Sequence, residues 1–198
     1  MKFSKDFKKN LAHMDMAPLN ASMNTIFFLD SQLIIRGYND YYVHFATQNG
    51  LLDIESKFGL DCPVLEAISP ELRSYYEQSW QKTLLANRVF TQEYECSSPE
   101  QIRRYYQTAY PIYGGTGLIV ISTCMFTLEN DSDEVAVMPQ HTRPDGFVVQ
   151  CSNCRKVKNH DFEEQWDWIP QWVGNPPSNT SHGICAYCID HYYPDLSL

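Results

Sequence analysis

Residues 25–40 read Thr25-Ile26-Phe27-Phe28-Leu29-Asp30-Ser31-Gln32-Leu33-Ile34-Ile35-Arg36-Gly37-Tyr38-Asn39-Asp40. Two short runs of β-branched and aromatic residues flank the turn-forming triplet Asp30-Ser31-Gln32. The stretch therefore predicts a β-hairpin, broken after Tyr38 by Asn39-Asp40. Downstream the pattern becomes helical. Residues 40–49 predict a helix ended by the C-cap pair Asn49-Gly50, and Gly59 and Pro63 punctuate a loop before a helical turn at 64–68. Ser69-Pro70-Glu71-Leu72 places Ser at the N-cap and Pro at the first position of a long helix running to Asn87, with apolar positions 72, 75, 76, 80 and 84 on its buried side. Three more strands follow, at 89–96, 102–112 and 117–128, the last two joined at Gly114-Gly115. The predicted order is β-β-α-α-α-β-β-β. It describes an α+β fold in which a five-stranded antiparallel sheet carries inserted helices on one face and can hold a cavity between them.

Before the hairpin, Phe3, Phe7, Leu11 and Met14 recur at helical spacing, so residues 1–20 predict an amphipathic helix, interrupted at Pro18, that packs on its own domain or on a second copy. After the sheet, residues 129–146 run Glu129-Asn130-Asp131-Ser132-Asp133-Glu134 and then reach Pro139, Pro144 and Gly146, the composition of a solvated acidic linker. The expected divisions are thus 1–20, 21–128, 129–146 and 147–198. A chain of 198 residues holds one ordinary domain plus a small satellite, and a 43% hydrophobic content supports a folded core. The net charge of −9 argues against coating nucleic acid or an anionic membrane. The longest apolar run, Gly117 to Phe126, is far short of the roughly 20 residues of a membrane span and reads as a buried strand. The start, Met1 to Lys9, lacks the apolar core of a secretory leader, which makes the cytoplasm the expected compartment.

The order of elements, with Phe27-Leu29-Asp30 in the first strand, Tyr38-Asn39-Asp40 closing the second, Gly59 before the middle loop, and Tyr110-Pro111-Ile112 followed by Gly117-Leu118-Ile119-Val120, resembles a PAS domain over residues 22–128. The resemblance implies a sensory or dimerisation module. Gly59 to Glu66 is similar to the flavin-adduct loop of LOV domains, with Cys62 at the cysteine position. Asp61, Pro63 and Glu66 stand where that family has Asn, Arg and Gln, which argues against flavin. Haem would need an axial ligand that His44, lying before the long helix, does not supply. An unidentified small organic ligand or an empty core is the expectation for the PAS-like cavity.

Seven cysteines, an odd number, argue against a fully paired disulfide framework. Cys62, Cys96 and Cys124 are scattered, whereas Cys151-x2-Cys154 and Cys185-x2-Cys188 form two pairs. Two thiolates separated by two residues can turn onto one ion, and two such knuckles complete a tetrahedron. Four sulfurs leave no position for water, so the pattern predicts a structural zinc held by Cys151, Cys154, Cys185 and Cys188 rather than a hydrolytic one. Between the pairs, Phe162, Trp166, Trp168, Ile169, Trp172 and Val173 supply a small core that would depend on the metal. Arg155, Lys156 and Lys158 are placed to screen the thiolates, and His182 is expected to support a sulfur rather than to replace one.

Phe147-Val148-Val149-Gln150-Cys151-Ser152-Asn153-Cys154-Arg155-Lys156-Val157, a tryptophan-bearing middle, and Ser181-His182-Gly183-Ile184-Cys185-Ala186-Tyr187-Cys188 resemble a cysteine-pair module found beside PAS domains in bacterial signalling proteins. That module usually has proline where Ala186 stands here. The resemblance implies a role in sensing. The expected protein is a non-enzymatic, homodimeric sensor that passes its signal to a downstream signalling protein through a surface presented by the zinc module, without nucleic acid and without a transmembrane segment. A thiol redox switch acting through zinc release is the alternative, since the same four thiolates would serve it.

Overall fold

A computed structural model describes residues 1–98, 101–129, 138–162 and 164–195. The strands of the hairpin are β2 (Thr25–Asp30) and β3 (Ile35–Tyr38), preceded by a two-residue strand β1 (Lys2–Phe3). Helices α2 (Asp40–Gln48), α3 (Ile54–Phe58) and α4 (Pro70–Ala86) follow, with a 3-10 turn at Val64–Ala67 between the last two. Strands β4 (Phe90–Glu95), β5 (Gln101–Pro111) and β6 (Gly117–Glu129) complete a sheet of order β1-β3-β2-β6-β5-β4. Within this sheet β1 pairs with β3, β3 with β2, and β2 with β6, each antiparallel.

The sheet has six strands rather than the expected five, and the sixth comes from the N-terminal segment. In place of one amphipathic helix over 1–20, the chain forms β1, a 3-10 turn at Phe7–Leu11 and a short helix α1 (Ala17–Ala21). The physical reason lies in β2. Its four central residues are all buried, and because successive side chains alternate faces, an unbroken buried run means that both faces are covered. Phe27 pairs with Val120 and Leu29 with Leu118 on the face toward α2 and α4, where Phe27 meets Trp80 with ring centroids 6.5 Å apart. Phe28 pairs with Ile119 on the opposite face. There Phe7, Leu11, Ile26, Phe28, Ile112 and Ile119 form one core cluster. The apolar residues of 1–20 therefore serve as the cover of the sheet's second face, while Met14 is left exposed.

Two local devices fix the hairpin and its exit. Gly37 pairs with Phe3, and a Cβ added there would stand 2.3 Å from the Phe3 ring, so only glycine lets β1 lie against β3. Asn39, fully buried, caps α2 by accepting from the Tyr42 backbone N–H at 3.1 Å; the same oxygen accepts from Ile26 N–H at 3.1 Å, and its Nδ2 donates to Asn24 O at 2.9 Å. The β5–β6 turn is a 3-10 turn at Tyr113–Gly115 with positive φ at Gly114 and Gly115, closed by Ile112 N–H on Gly117 O at 2.8 Å.

The rest of the described chain builds a second sheet. Strands β7 (Val148–Cys151), β8 (Val157–Lys158), β9 (Trp166–Asp167) and β10 (Thr180–Gly183) are ordered β10-β7-β8-β9, with β10 parallel to β7 and the other neighbours antiparallel; helix α5 (Ala186–Tyr192) follows. Val148, Val157 and Ile169 form its apolar centre with Trp172 against it. Of the expected aromatic core, Trp168 is buried but Phe162 is exposed.

The chain groups into two compact units. One comprises Met1–Ile68, Leu72–Gln92 and Tyr106–Thr123; the other comprises Ser69–Glu71, Glu93–Tyr105 and Cys124–Leu198. Residues 130–137 of the expected acidic linker lie outside the described residues. Past them, a 3-10 turn at Pro139–His141 is followed by a bridge from Thr142 to Val148. No helix among the described residues is long and apolar enough to cross a membrane.

Candidate metal centre

Each cysteine pair is positioned by a different element end. Cys151 closes β7, and its chain turns back at once: Arg155 N–H donates to Cys151 O at 3.0 Å and Cys151 N–H to Lys156 O at 2.8 Å, with Arg155 in the left-handed region at φ 66°. This knuckle brings Cys154 beside Cys151. Because β10 runs parallel to β7, with Gly183 opposite Cys151, the chain leaves β10 at the same end of the sheet and delivers the second pair there. Cys185 is the N-cap residue of α5 and Cys188 lies in that helix's first turn.

The four sulfurs lie within 4.8 Å of one another, and all four residues are buried. Cys154 Sγ and Cys185 Sγ are 3.7 Å apart, and the Cys185 backbone N–H points at Cys151 Sγ at 3.4 Å. A tetrahedron with metal–sulfur bonds of about 2.3 Å has edges of about 3.8 Å, so the donor set matches a single four-coordinate ion in size and in chemistry. Hydrogen bonds from Cys154, and then from Cys185 and Cys188, hold the Cys151 thiol far below its ordinary range, while the Cys154 thiol beside it is driven up. A thiolate pressed among thiols in a buried space is the arrangement that a cation resolves.

His182 lies on β10 opposite Gln150 and is not one of the clustered donors. Its burial, and then the charge of Arg155, lower its pKa from the ordinary imidazole value. Sequence reasoning missed the polar groups that hold the module. Gln150, in the same strand as Cys151, donates from Nε2 to Trp172 O at 2.8 Å and to Arg155 O at 3.1 Å, tying the knuckle to the tryptophan-rich loop. His141 is fully buried; its Nδ1 accepts the Met138 N–H at 3.1 Å, which leaves Nε2 as the protonated nitrogen, 2.8 Å from Asp167 Oδ2. Asn159 donates to the same carboxylate oxygen at 2.9 Å. The only sequence signal for this network was a histidine inside a stretch otherwise reading as linker.

In the first unit, Tyr42 and Trp80 meet the Phe27 ring, and the aromatic chain runs on from Trp80 to Tyr76 and from Tyr76 to Phe90. Trp80 is 1% exposed, and its indole N–H has no acceptor among the described residues. Cys62 is partly buried beside Asp61, which has positive φ and pairs with Arg36.

No protein-family model matches the chain, and no curated protein matches it. Among solved structures, the chain is similar to the PAS domain of a protein from Colwellia psychrerythraea, at 18% identity and a TM-score of 0.42, over 61% of this chain and 98% of that one. It is similar to the PAS domain of nitrogen regulation protein NR(II) from Vibrio parahaemolyticus, at 15% identity and a TM-score of 0.36, over 57% of this chain and 98% of that one. A domain of an HTR-like protein from Haloarcula marismortui matches at 13% identity and a TM-score of 0.38, over 53% of this chain and all of that one.

Proposed function

We propose that the chain is a non-enzymatic sensory protein. Residues 21–128 form a PAS-like domain for ligand sensing and dimerisation, and residues 147–198 form a module built on a structural zinc held by Cys151, Cys154, Cys185 and Cys188. The observation that carries this reading is the closed, buried four-sulfur cluster, whose size suits one ion and whose donor set is complete without water. A bound zinc would supply cross-linking rather than Lewis-acid catalysis, because every coordination position is taken by the chain. A downstream signalling protein would read the surface that the module presents. In the PAS-like domain, the buried Trp80 N–H without an acceptor among the described residues supports a ligand that carries one.

Native mass spectrometry with metal analysis tests the reading. About one zinc per chain, in a dimeric species, is the expected result; a metal-free chain that keeps its fold would overturn the zinc assignment, and a monomer at every concentration would overturn dimerisation. The redox alternative draws on the 3.7 Å approach of Cys154 to Cys185. Rapid zinc release by mild peroxide favours the switch, and inertness favours the purely structural role.

A further inference from the structure

We infer that the outward face of the second sheet is a binding site for a compact organic anion bearing a flat ring. Val148, Gln150 and Val157 are turned into the module and are nearly inaccessible. By strand alternation, Val149 and Lys158 stand on the opposite face, and Lys158 is directly paired with Trp166 across β8 and β9. Arg143 and His160 border the same face, and the five side chains with Gly183 line an open cavity of about 360 Å³. That volume falls at the small end of ligand pockets, which span roughly 300–1,000 Å³.

The chemistry of the lining selects the ligand. Lys158 has no carboxylate partner among the described residues. Arg143 gives one guanidinium nitrogen to Asp145 at 2.7 Å and keeps its remaining donors. His160 is held by its backbone N–H on Gln140 O at 2.8 Å, and its buried Nε2 has no partner among the described residues. In a chain of net charge −9, this convergence of cationic and donor groups favours an anion. Trp166 and Val149 add an indole and an apolar floor. Gly183 keeps that floor low, since a Cβ there would already stand 3.4 Å from the Val149 side chain. A flat ring packed on the indole, with its carboxylate or phosphate toward Lys158 and Arg143, satisfies both halves of the lining. The overall acidity and the extent of the cavity disfavour a nucleic-acid strand.

Calorimetry on the metal-loaded full chain with AMP, benzoate and inorganic phosphate tests the proposal, with amide and indole NMR shifts locating the ligand. AMP or benzoate should bind, and whichever does so identifies the anionic group as phosphate or carboxylate. Shifts should centre on Lys158, His160 and Trp166. Lys158→Ala and Trp166→Leu should each weaken binding by about tenfold or more, while Lys156→Ala, exposed and outside the cavity, should not. Unchanged zinc content and melting show that a variant is folded; should Trp166→Leu fail that check, Lys158→Glu replaces it and should abolish binding. Absence of binding at millimolar ligand overturns the proposal. Shifts elsewhere do so too, as does inorganic phosphate binding that matches AMP and ignores Trp166→Leu.

Discussion

Asp167 takes its properties from three neighbours. Burial pushes its carboxyl pKa up, but hydrogen bonds from Gln165, His141 and Asn159 outweigh it, and the net shift is downward. A carboxyl whose folded pKa lies below its unfolded value stabilises the fold fully above the unfolded pKa, near 3.9, and loses that contribution as pH falls through the folded pKa. Stability of the cysteine module should therefore decline on acidification below about pH 4. Asp167→Asn should be less stable at neutral pH by about 1–3 kcal/mol and show a flatter acid limb in urea titrations at stepped pH; an unchanged limb would remove Asp167 as its source. Asn39 is the counterpart in the first unit. Asn39→Ala strips the α2 cap and the acceptor of Ile26 N–H together, and should cost about 2–3 kcal/mol in urea unfolding.

At the scale of elements, the N-terminal segment deserves its strand by geometry: β1 lies on β3 only because Gly37 leaves room for the Phe3 ring. Gly37→Val should detach β1 and lower stability by about 1–3 kcal/mol, with early hydrogen exchange at residues 2–4. Removing residues 1–21 should do more, since it uncovers Ile26, Phe28 and Ile119; burial of Phe7 and Leu11 alone is worth about 3–6 kcal/mol. A truncated chain that melts at the wild-type temperature would contradict this packing. The hairpin at 25–38, the start of α4 at Pro70 and the Gly-Gly turn were legible in the sequence because turn chemistry and the proline preference of a first helical turn are local, although the expected Ser69 cap is not made, its buried Oγ having no partner among the described residues. The spacing of Phe3, Phe7, Leu11 and Met14 was legible as an apolar stripe but not as a cover for β2, because what overrides helix periodicity there is a long-range demand, the second buried face of a central strand. Likewise the four cysteines could be read from their spacing, whereas Gln150, His141 and Asp167 act through contacts that spacing does not encode.

For the whole molecule, the proposed metal is the main test. Cys154→Ser should lose the ion and unfold the module, with exchange protection lost across 148–192, while residues 25–92 keep theirs. Loss throughout in a single transition would mean that the two units fold as one. The β10–β7 pairing bears on the order of events in a growing chain. Parallel strands need a crossover, and here it is the entire tryptophan-rich stretch between Cys151 and Thr180. Cys151 and Cys154 emerge first, but their partners cannot reach them until that crossover has been threaded back and residue 188 has been made. An N-terminal domain can collapse as soon as its own strands are complete. The cysteine module must wait, with two thiols held open, so capture of the proposed ion would come only after residue 188 has been made and would trail the collapse of the first sheet.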